Sequence, residues 1–291
     1  MNIAINVNGV INDAEHATVS ALDRGFLFGE GVYETLRTYN RRPFLLDRHL
    51  DRLRASAGHL ALTVPLDDAG YAERIAETVA AVSDKEIELY IRLLLTRGAG
   101  DLTYDPNSCP APTVVIIVRP YAGASAELDE KGITIVRSSF VRNHPAALNP
   151  IIKSNNLLNN ALAMQEAIKA GADEALMSNY RGEIAECAQS NIFIVRDGVA
   201  LTPQLDTGLL EGVTRNFVFE VGKAAGITVR EAVIQPDELA AADEVFITGT
   251  TREILAVTTL DTTPVKDGRP GPVTKALSKK FREMANALTL G

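Results

Sequence analysis

The chain has 291 residues, 46% hydrophobic and 23% charged, and 29 basic against 37 acidic side chains leave a net charge of −8. That mixture is globular and excludes disorder, collagen and a coiled coil, while no apolar run approaches the roughly 20 residues of a membrane span. An acidic chain without a basic block repels a phosphate backbone, so nucleic acid is not an expected partner.

The N-terminus, MNIAINVNGVIND, lacks a basic region followed by an apolar one and a small-residue cleavage site. Cys109 and Cys187 lack CxxC spacing and suit a reducing compartment as ordinary thiols, so a cytoplasmic protein is expected. Ile3 to Val10 alternates and ends at Asn8-Gly9, a hairpin signal. A glycine-rich stretch, Gly25 to Gly31, precedes a β-prone run from Val32 to Tyr39. Leu46, Leu50, Leu53 and Ala57 share one face of a predicted helix over 45–60, and 68–82 reads as a second. Strands are predicted over 87–96 and 113–118, separated by a Gly/Asp/Pro/Asn-rich loop.

Residues 1–118 therefore read as a small α/β domain, 119–132 as a linker holding a Pro, small residues and charges, and 133–291 as a larger domain. In the larger part, strands are expected over 133–137, 175–177, 191–196, 199–202, 244–248 and 254–258. Helices are expected over 157–170, 214–225 and 273–288. The fold class is α+β (mixed α/β). Neither GxGxxG, nor a P-loop, nor GxSxG occurs, and the four histidines have no metal-ligand spacing, so no metal is expected. Without the usual protein-only catalytic sets, an enzyme of this sequence would rely on a cofactor for the hard chemistry.

Three features fit that idea. In Pro150-Ile151-Ile152-Lys153-Ser154-Asn155-Asn156, a lysine stands among isoleucines near a strand-to-helix junction; desolvation lowers an amine's pKa, as a Schiff-base lysine requires. The plainer alternative is a lysine whose stem packs while its head reaches water. In Gly182 to Phe193, Glu186 stands at a turn before a strand, where a carboxylate could hold a protonated pyridine nitrogen or simply face solvent. Glu211-Gly212-Val213-Thr214-Arg215 and Thr248-Gly249-Thr250-Thr251-Arg252 offer backbone N–H groups and hydroxyls suited to phosphate, although each alone is only a capping motif.

Together these motifs resemble the pyridoxal-phosphate aminotransferases of fold type IV (class IV), which include branched-chain aminotransferase, D-amino-acid aminotransferase and aminodeoxychorismate lyase. The resemblance runs in order through Asp23 to Glu34, His49 to Leu53, Ile152 to Ser154, Glu186 with Ser190 to Phe193, Gly212 to Arg215 and Gly249 to Ile254. It implies a two-domain fold whose larger domain carries a barrel-like sheet. Lys153 is then the Schiff-base lysine and proton carrier, and Glu186 the partner of the pyridine nitrogen. Arg52 would be the phosphate arginine, with Val213, Thr214 and Thr250 completing the phosphate site. It further implies a homodimer or larger homo-oligomer acting on amino acids and 2-oxo acids, with the loop over 98–107 near the neighbouring site. Branched-chain members commonly carry a tyrosine five residues after the lysine; here that position is Leu158, as in the D-amino-acid enzymes.

Tyr90 and Arg92 alternate onto one strand face and match the Tyr-x-Arg of branched-chain members, with a surface ion pair as the plainer role of Arg92. Phe28 and Tyr33, with Tyr121, read as an apolar rim, and Tyr90, Thr250 and Thr251 as contacts to the α-carboxylate. Leu102-Thr103-Tyr104 stands where D-amino-acid enzymes show Arg-x-His and the lyases Arg-Gly-Tyr, yet Tyr33-Glu34-Thr35-Leu36-Arg37 is closer to the lyase. The expectation is transfer from L-leucine, L-isoleucine or L-valine to 2-oxoglutarate. The lyase and a D-amino-acid or (R)-amine transaminase are rivals within the family. A catalytically silent binding protein is the rival outside enzymes.

Overall fold

The computed structural model describes residues 2–84, 87–123 and 126–290. The chain divides into two compact units. The first comprises residues 1–123 and 152–156 with Leu290, and the second 124–151 and 157–289 with Gly291. The cut falls inside the expected linker, but 119–132 is not a plain connector. A strand runs on to Pro120 and a short helix, rich in charged residues, occupies Ala126–Lys131. The segment 152–156, which carries Lys153, belongs with the first unit.

In chain order the first unit holds β1 (Ala4–Val7), β2 (Val10–Asn12), α1 (Arg24–Leu27), β3 (Gly31–Tyr39) and β4 (Arg42–Pro43). α2 (Leu46–His59), α3 (Asp68–Ala81), β5 (Leu89–Thr96) and β6 (Thr113–Pro120) complete it. Its six strands run β2-β1-β6-β5-β3-β4, and every pair is antiparallel. Asn8 and Gly9 both take positive φ, which is what a two-residue hairpin turn requires. Along β3 and β5 every second residue faces the core: Val32, Leu36, Leu89, Ile91, Leu93 and Leu95 are fully buried. Leu50 and Leu53 of α2 and Tyr71 and Ile75 of α3 join that core, each buried leucine contributing about 1.5–3 kcal/mol. Asp67 caps α3 by accepting from the Gly70 N–H at 2.8 Å.

The second unit holds α4 (Ala126–Lys131), β7 (Ile133–Arg137), α5 (Leu158–Lys169), β8 (Glu174–Ser178), β9 (Ile184–Cys187), β10 (Asn191–Arg196) and β11 (Val199–Pro203). α6 (Val213–Ala225), β12 (Val229–Ala232), α7 (Pro236–Ala240), β13 (Glu244–Gly249), β14 (Glu253–Leu260), β15 (Thr263–Pro264) and α8 (Pro272–Thr289) follow. Eight strands run β12-β11-β10-β13-β14-β7-β8-β9, with β15 on β14. The sheet is mixed: β11–β12, β14–β7 and β7–β8 are parallel and the other pairs antiparallel. β8, β9, β10, β13 and β14 are buried almost continuously, as strands covered on both faces are. Phe193 and Phe246 oppose each other in register and stack 4.7 Å apart. Gly226, in the left-handed region, ends α6.

β9 and β12 were not expected as strands. The first is four residues long and includes a glutamate, and the second is half-exposed at the sheet edge. Among the described residues no helix is long and apolar enough to cross a membrane.

Candidate active site

In the first unit Lys153 is tied to β3 by backbone bonds. Tyr33 N–H donates to its carbonyl at 3.0 Å, Asn155 N–H donates to Gly31 at 2.9 Å, and Val32 forms a bridge with Ser154. Its own N–H donates to Ser56 Oγ of α2 at 3.1 Å. The lysine thus sits one residue before an isolated bridge, Ser154 with Val32, beside a strand; the sequence pattern places it near a strand-to-helix junction, but α5 begins only at Leu158. Lys153 Nζ lies 4.4 Å from the centroid of the Tyr33 ring, and the Arg92 guanidinium lies 4.0 Å from the same centroid. The register explains this convergence. Thr35 opposes Arg92 and Arg37 opposes Tyr90, so the odd residues of β3 and the even residues of β5 share the face turned away from the core. Arg119 of β6 opposes Tyr90 and lies 4.7 Å over its ring. Each contact places a cation on the negative face of an aromatic ring.

The rim expected from Phe28, Tyr33 and Tyr121 resolves into three separate ring contacts. Tyr33 carries Lys153 and Arg92, Tyr121 lies 4.8 Å from Arg37, and Phe28 meets Tyr104 at 5.2 Å. Buried Arg24 donates to the carbonyls of Thr103 and Asp105 and to Ser108 Oγ, which holds the loop bearing Tyr104.

Arg52 lies on the opposite side of β3. Its Nε and Nη2 donate to Glu34 at 2.7 and 2.8 Å, and His49 Nδ1 lies 2.6 Å from Glu34 Oε2. Burial alone would raise the Glu34 carboxyl, but Arg52 and His49 hold it well below the usual range. Burial pushes His49 down against the pull of Glu34, and the positive charges of Arg52 and Lys153 add to the push.

In the second unit Glu186 lies within β9 and is 4% exposed, not at a turn before a strand. Arg142 Nε donates to it at 2.6 Å, the Leu210 N–H at 3.1 Å and Asn191 Nδ2 at 3.4 Å. Arg142 is seated in turn by Asn159 Oδ1 at 3.0 Å. Its pairing offsets the cost of a buried carboxylate. Asn191 opposes Thr248 across β10 and β13, and its Oδ1 would lie 2.0 Å from a Cβ placed on Gly212. Asn191 therefore adjoins both Gly-Thr segments read from the sequence. Val213 and Thr214 are nearly buried at the start of α6, whose N-cap Gly212 supplies no side-chain cap, so the first-turn N–H groups form an anion-accepting end. Thr250 and Thr251 are half-buried at the centre of the Gly249–Arg252 turn, which Arg252 N–H closes on the Gly249 carbonyl at 3.1 Å.

Each unit thus gathers part of the expected set: Lys153, Tyr33, Tyr90, Arg92 and Arg52 in the first, and Glu186, Val213, Thr214, Thr250 and Thr251 in the second. Sequence reasoning missed Arg142, Arg119 and the roles of Glu34 and Asn191. Asn191 and Glu34 stood inside quoted motifs, whereas nothing local marks Arg142 or Arg119. Both cysteines are free; burial, with Glu174 nearby, holds the Cys187 thiol well above its ordinary range.

A chain from Methanocaldococcus jannaschii, provisionally named a branched-chain-amino-acid aminotransferase, is 39% identical over 280 residues, covering 96% of each chain. A D-alanine aminotransferase of Listeria monocytogenes is 36% identical over 280 residues, covering 95% of this chain and 94% of its own. The Escherichia coli branched-chain amino acid aminotransferase structure superposes with a TM-score of 0.92 at 31% identity, covering 98% of this chain and 95% of that one. The profile of the family described as "Amino-transferase class IV" matches residues 31–260, most of both units. The chain belongs to the class IV aminotransferases.

Proposed function

We propose that this chain is a pyridoxal-5′-phosphate-dependent transaminase that moves the amino group of L-leucine, L-isoleucine or L-valine to 2-oxoglutarate. The residues fit the cofactor. Thr248 Oγ1 is buried without a partner, the start of α6 has no side-chain cap, and the absence of a Cβ on Gly212 lets Asn191 Oδ1 pack directly against it. Val213 and Thr214, with Thr250 and Arg52, would hold the phosphate. Glu186 would accept the proton-bearing ring nitrogen, fixed for that task by Arg142 and the Leu210 N–H. When bound, the cofactor supplies an electron sink that acidifies the substrate's Cα–H. Lys153 Nζ, 4.4 Å from the centroid of the Tyr33 ring, would be the base that takes the proton from Cα.

One observation carries the specificity. Arg92 and Arg119 rest on the rings of Tyr33 and Tyr90, and neither has an acidic partner among the described residues. Cations left without a carboxylate of their own suit a substrate that brings one, and Arg92 would take the side-chain carboxylate of glutamate. Tyr90 and the N–H groups of Thr250 and Thr251 would hold the α-carboxylate, while Phe28 and Tyr33 would pack the aliphatic side chain. Relatives named D-alanine aminotransferase at 36% identity favour a second reading, a D-amino-acid transaminase. A half-reaction screen of L- and D-amino acids, (R)-1-phenylethylamine and aminodeoxychorismate, followed by loss of the yellow cofactor band, separates these readings. The proposal expects L-leucine, L-isoleucine, L-valine and L-glutamate to react, and Arg92→Ala to slow glutamate far more than leucine. Fast reaction with D-alanine alone transfers the assignment to the second reading, and pyruvate release from aminodeoxychorismate transfers it to the lyase.

A further inference from the structure

Glu34 has no place in the chemistry above, yet the fold goes to some length to keep it. It projects from β3 to the core side, opposite Leu93, among side chains that are fully buried. A bare carboxylate there is strongly unfavourable. α2 answers it with two residues three positions apart, which share a helix face. His49 Nδ1 meets Oε2 at 2.6 Å; Arg52 Nε meets Oε1 at 2.7 Å and Nη2 meets Oε2 at 2.8 Å. Both Glu34 oxygens are engaged by one edge of the guanidinium, a fork that fixes the plane of Arg52 as well as its distance. His49 shares Oε2 with Arg52 Nη2, a second anchor that restrains Glu34 independently of Arg52. The Arg52 side chain keeps 13% of its surface exposed while Glu34 keeps none, so the arginine reaches outward from a buried anchor.

We propose that Glu34, seated by His49, is the positioning residue that aims Arg52 at the cofactor phosphate. This rests on the reading of Arg52 as a phosphate ligand given above. A fixed guanidinium loses little further freedom when the anion arrives, so part of the ordering cost of binding is met in the fold itself. Selectivity for the phosphorylated cofactor then depends on a carboxylate that never touches phosphate.

The test compares pyridoxal phosphate with pyridoxal, which lacks the phosphate, as equilibrium ligands of the full-length apoprotein. Absorbance titration gives the ratio of the two affinities for wild type, Glu34→Gln, Glu34→Asp, Arg52→Gln and the Glu34→Gln/Arg52→Gln pair. Circular dichroism and melting confirm folding. Glu34→Gln is expected to lower the ratio roughly 10- to 100-fold, as loss of a ligand's outer support does, with pyridoxal affinity nearly unchanged. Glu34→Asp, which keeps the charge but withdraws it by one methylene, lowers the ratio less. In the Arg52→Gln background, Glu34→Gln adds nothing, because both act through one contact. A wild-type ratio in Arg52→Gln overturns the phosphate role of Arg52, and this proposal with it. A ratio lost in Arg52→Gln but kept in Glu34→Gln overturns only the positioning role. Equal loss for both ligands in Glu34→Gln also overturns it, as a general structural defect. Should Glu34→Gln fail to fold, Glu34→Asp decides: a lowered ratio supports the proposal and an unchanged ratio overturns it.

Discussion

The two units assemble their polar groups by different means. In the first, three of the cations rest on other side chains: Arg52 on Glu34, and Lys153 and Arg92 on the ring of Tyr33. In the second, many donors are backbone groups at element ends, presented by Gly212 at the start of α6 and by the Gly249–Arg252 turn, with Asn191 adjoining both. Side-chain anchors fail when either partner is removed. Backbone donors survive most substitutions and fail only when a Cβ fills the space that glycine left. The units should therefore be broken by different kinds of mutation.

The largest stability effect is expected at the buried Glu186–Arg142 ion pair of the second unit. Glu186→Ala strands Arg142, whose side chain is 9% exposed, and breaking such a buried pair costs about 3–5 kcal/mol. Denaturant unfolding should show that loss, while Glu186→Gln, which still accepts from Arg142, loses less. Gly212→Ala comes next. Its Cβ would lie 2.0 Å from Asn191 Oδ1, and an overpacked methyl costs about 1–3 kcal/mol. Asn191 also donates to Glu186 and to the Leu210 carbonyl, so the variant should retain pyridoxal phosphate poorly in dialysis while remaining folded.

A smaller effect belongs to the first unit and appears on acidification. The unfolded chain binds a proton at His49 as pH falls through its ordinary 6.5, whereas burial keeps the native imidazole neutral to lower pH. Stability therefore declines from about neutrality downward. Glu34 acts in the same direction further down: its unfolded carboxyl protonates near 4.5 while the native one stays ionised. Melting temperature measured from pH 7.5 to 4 should fall throughout, and His49→Gln should flatten the upper part of that fall. The smallest expected effect is chemical. At pH 8 a thiol reagent should label Cys109 and leave Cys187 unmodified until the protein unfolds, because the Cys187 thiol is fully buried with its ionisation suppressed.

The same division explains what was legible in the sequence. Local signals were readable: the Asn8-Gly9 hairpin, the apolar face of α2, and the glycine and threonine turns at 212–214 and 249–251. So was the alternation that puts Tyr90 and Arg92 on one face, because a strand's period is set by the backbone. Pairings across long separations were not. Glu34 with Arg52 depends on α2 packing against β3, and Glu186 with Arg142 on two segments 44 residues apart. Glu186 was read at a turn because β9 is only four residues long and carries that charge, and its burial follows from the sheet around it. Likewise the stretch 119–132 read as linker because its charges mask the end of β6 and all of α4.

The central claim is that Lys153 carries the cofactor, and borohydride reduction of the protein loaded with pyridoxal phosphate tests it most directly. Peptide mapping by mass spectrometry is predicted to find the reduced cofactor on the Lys153 peptide alone. Lys153→Ala should remain folded, since the backbone bonds to Tyr33 and Ser56 do not involve the side chain, and should take up no label. Label on another lysine, or a wild-type protein that binds no pyridoxal phosphate, would contradict the account.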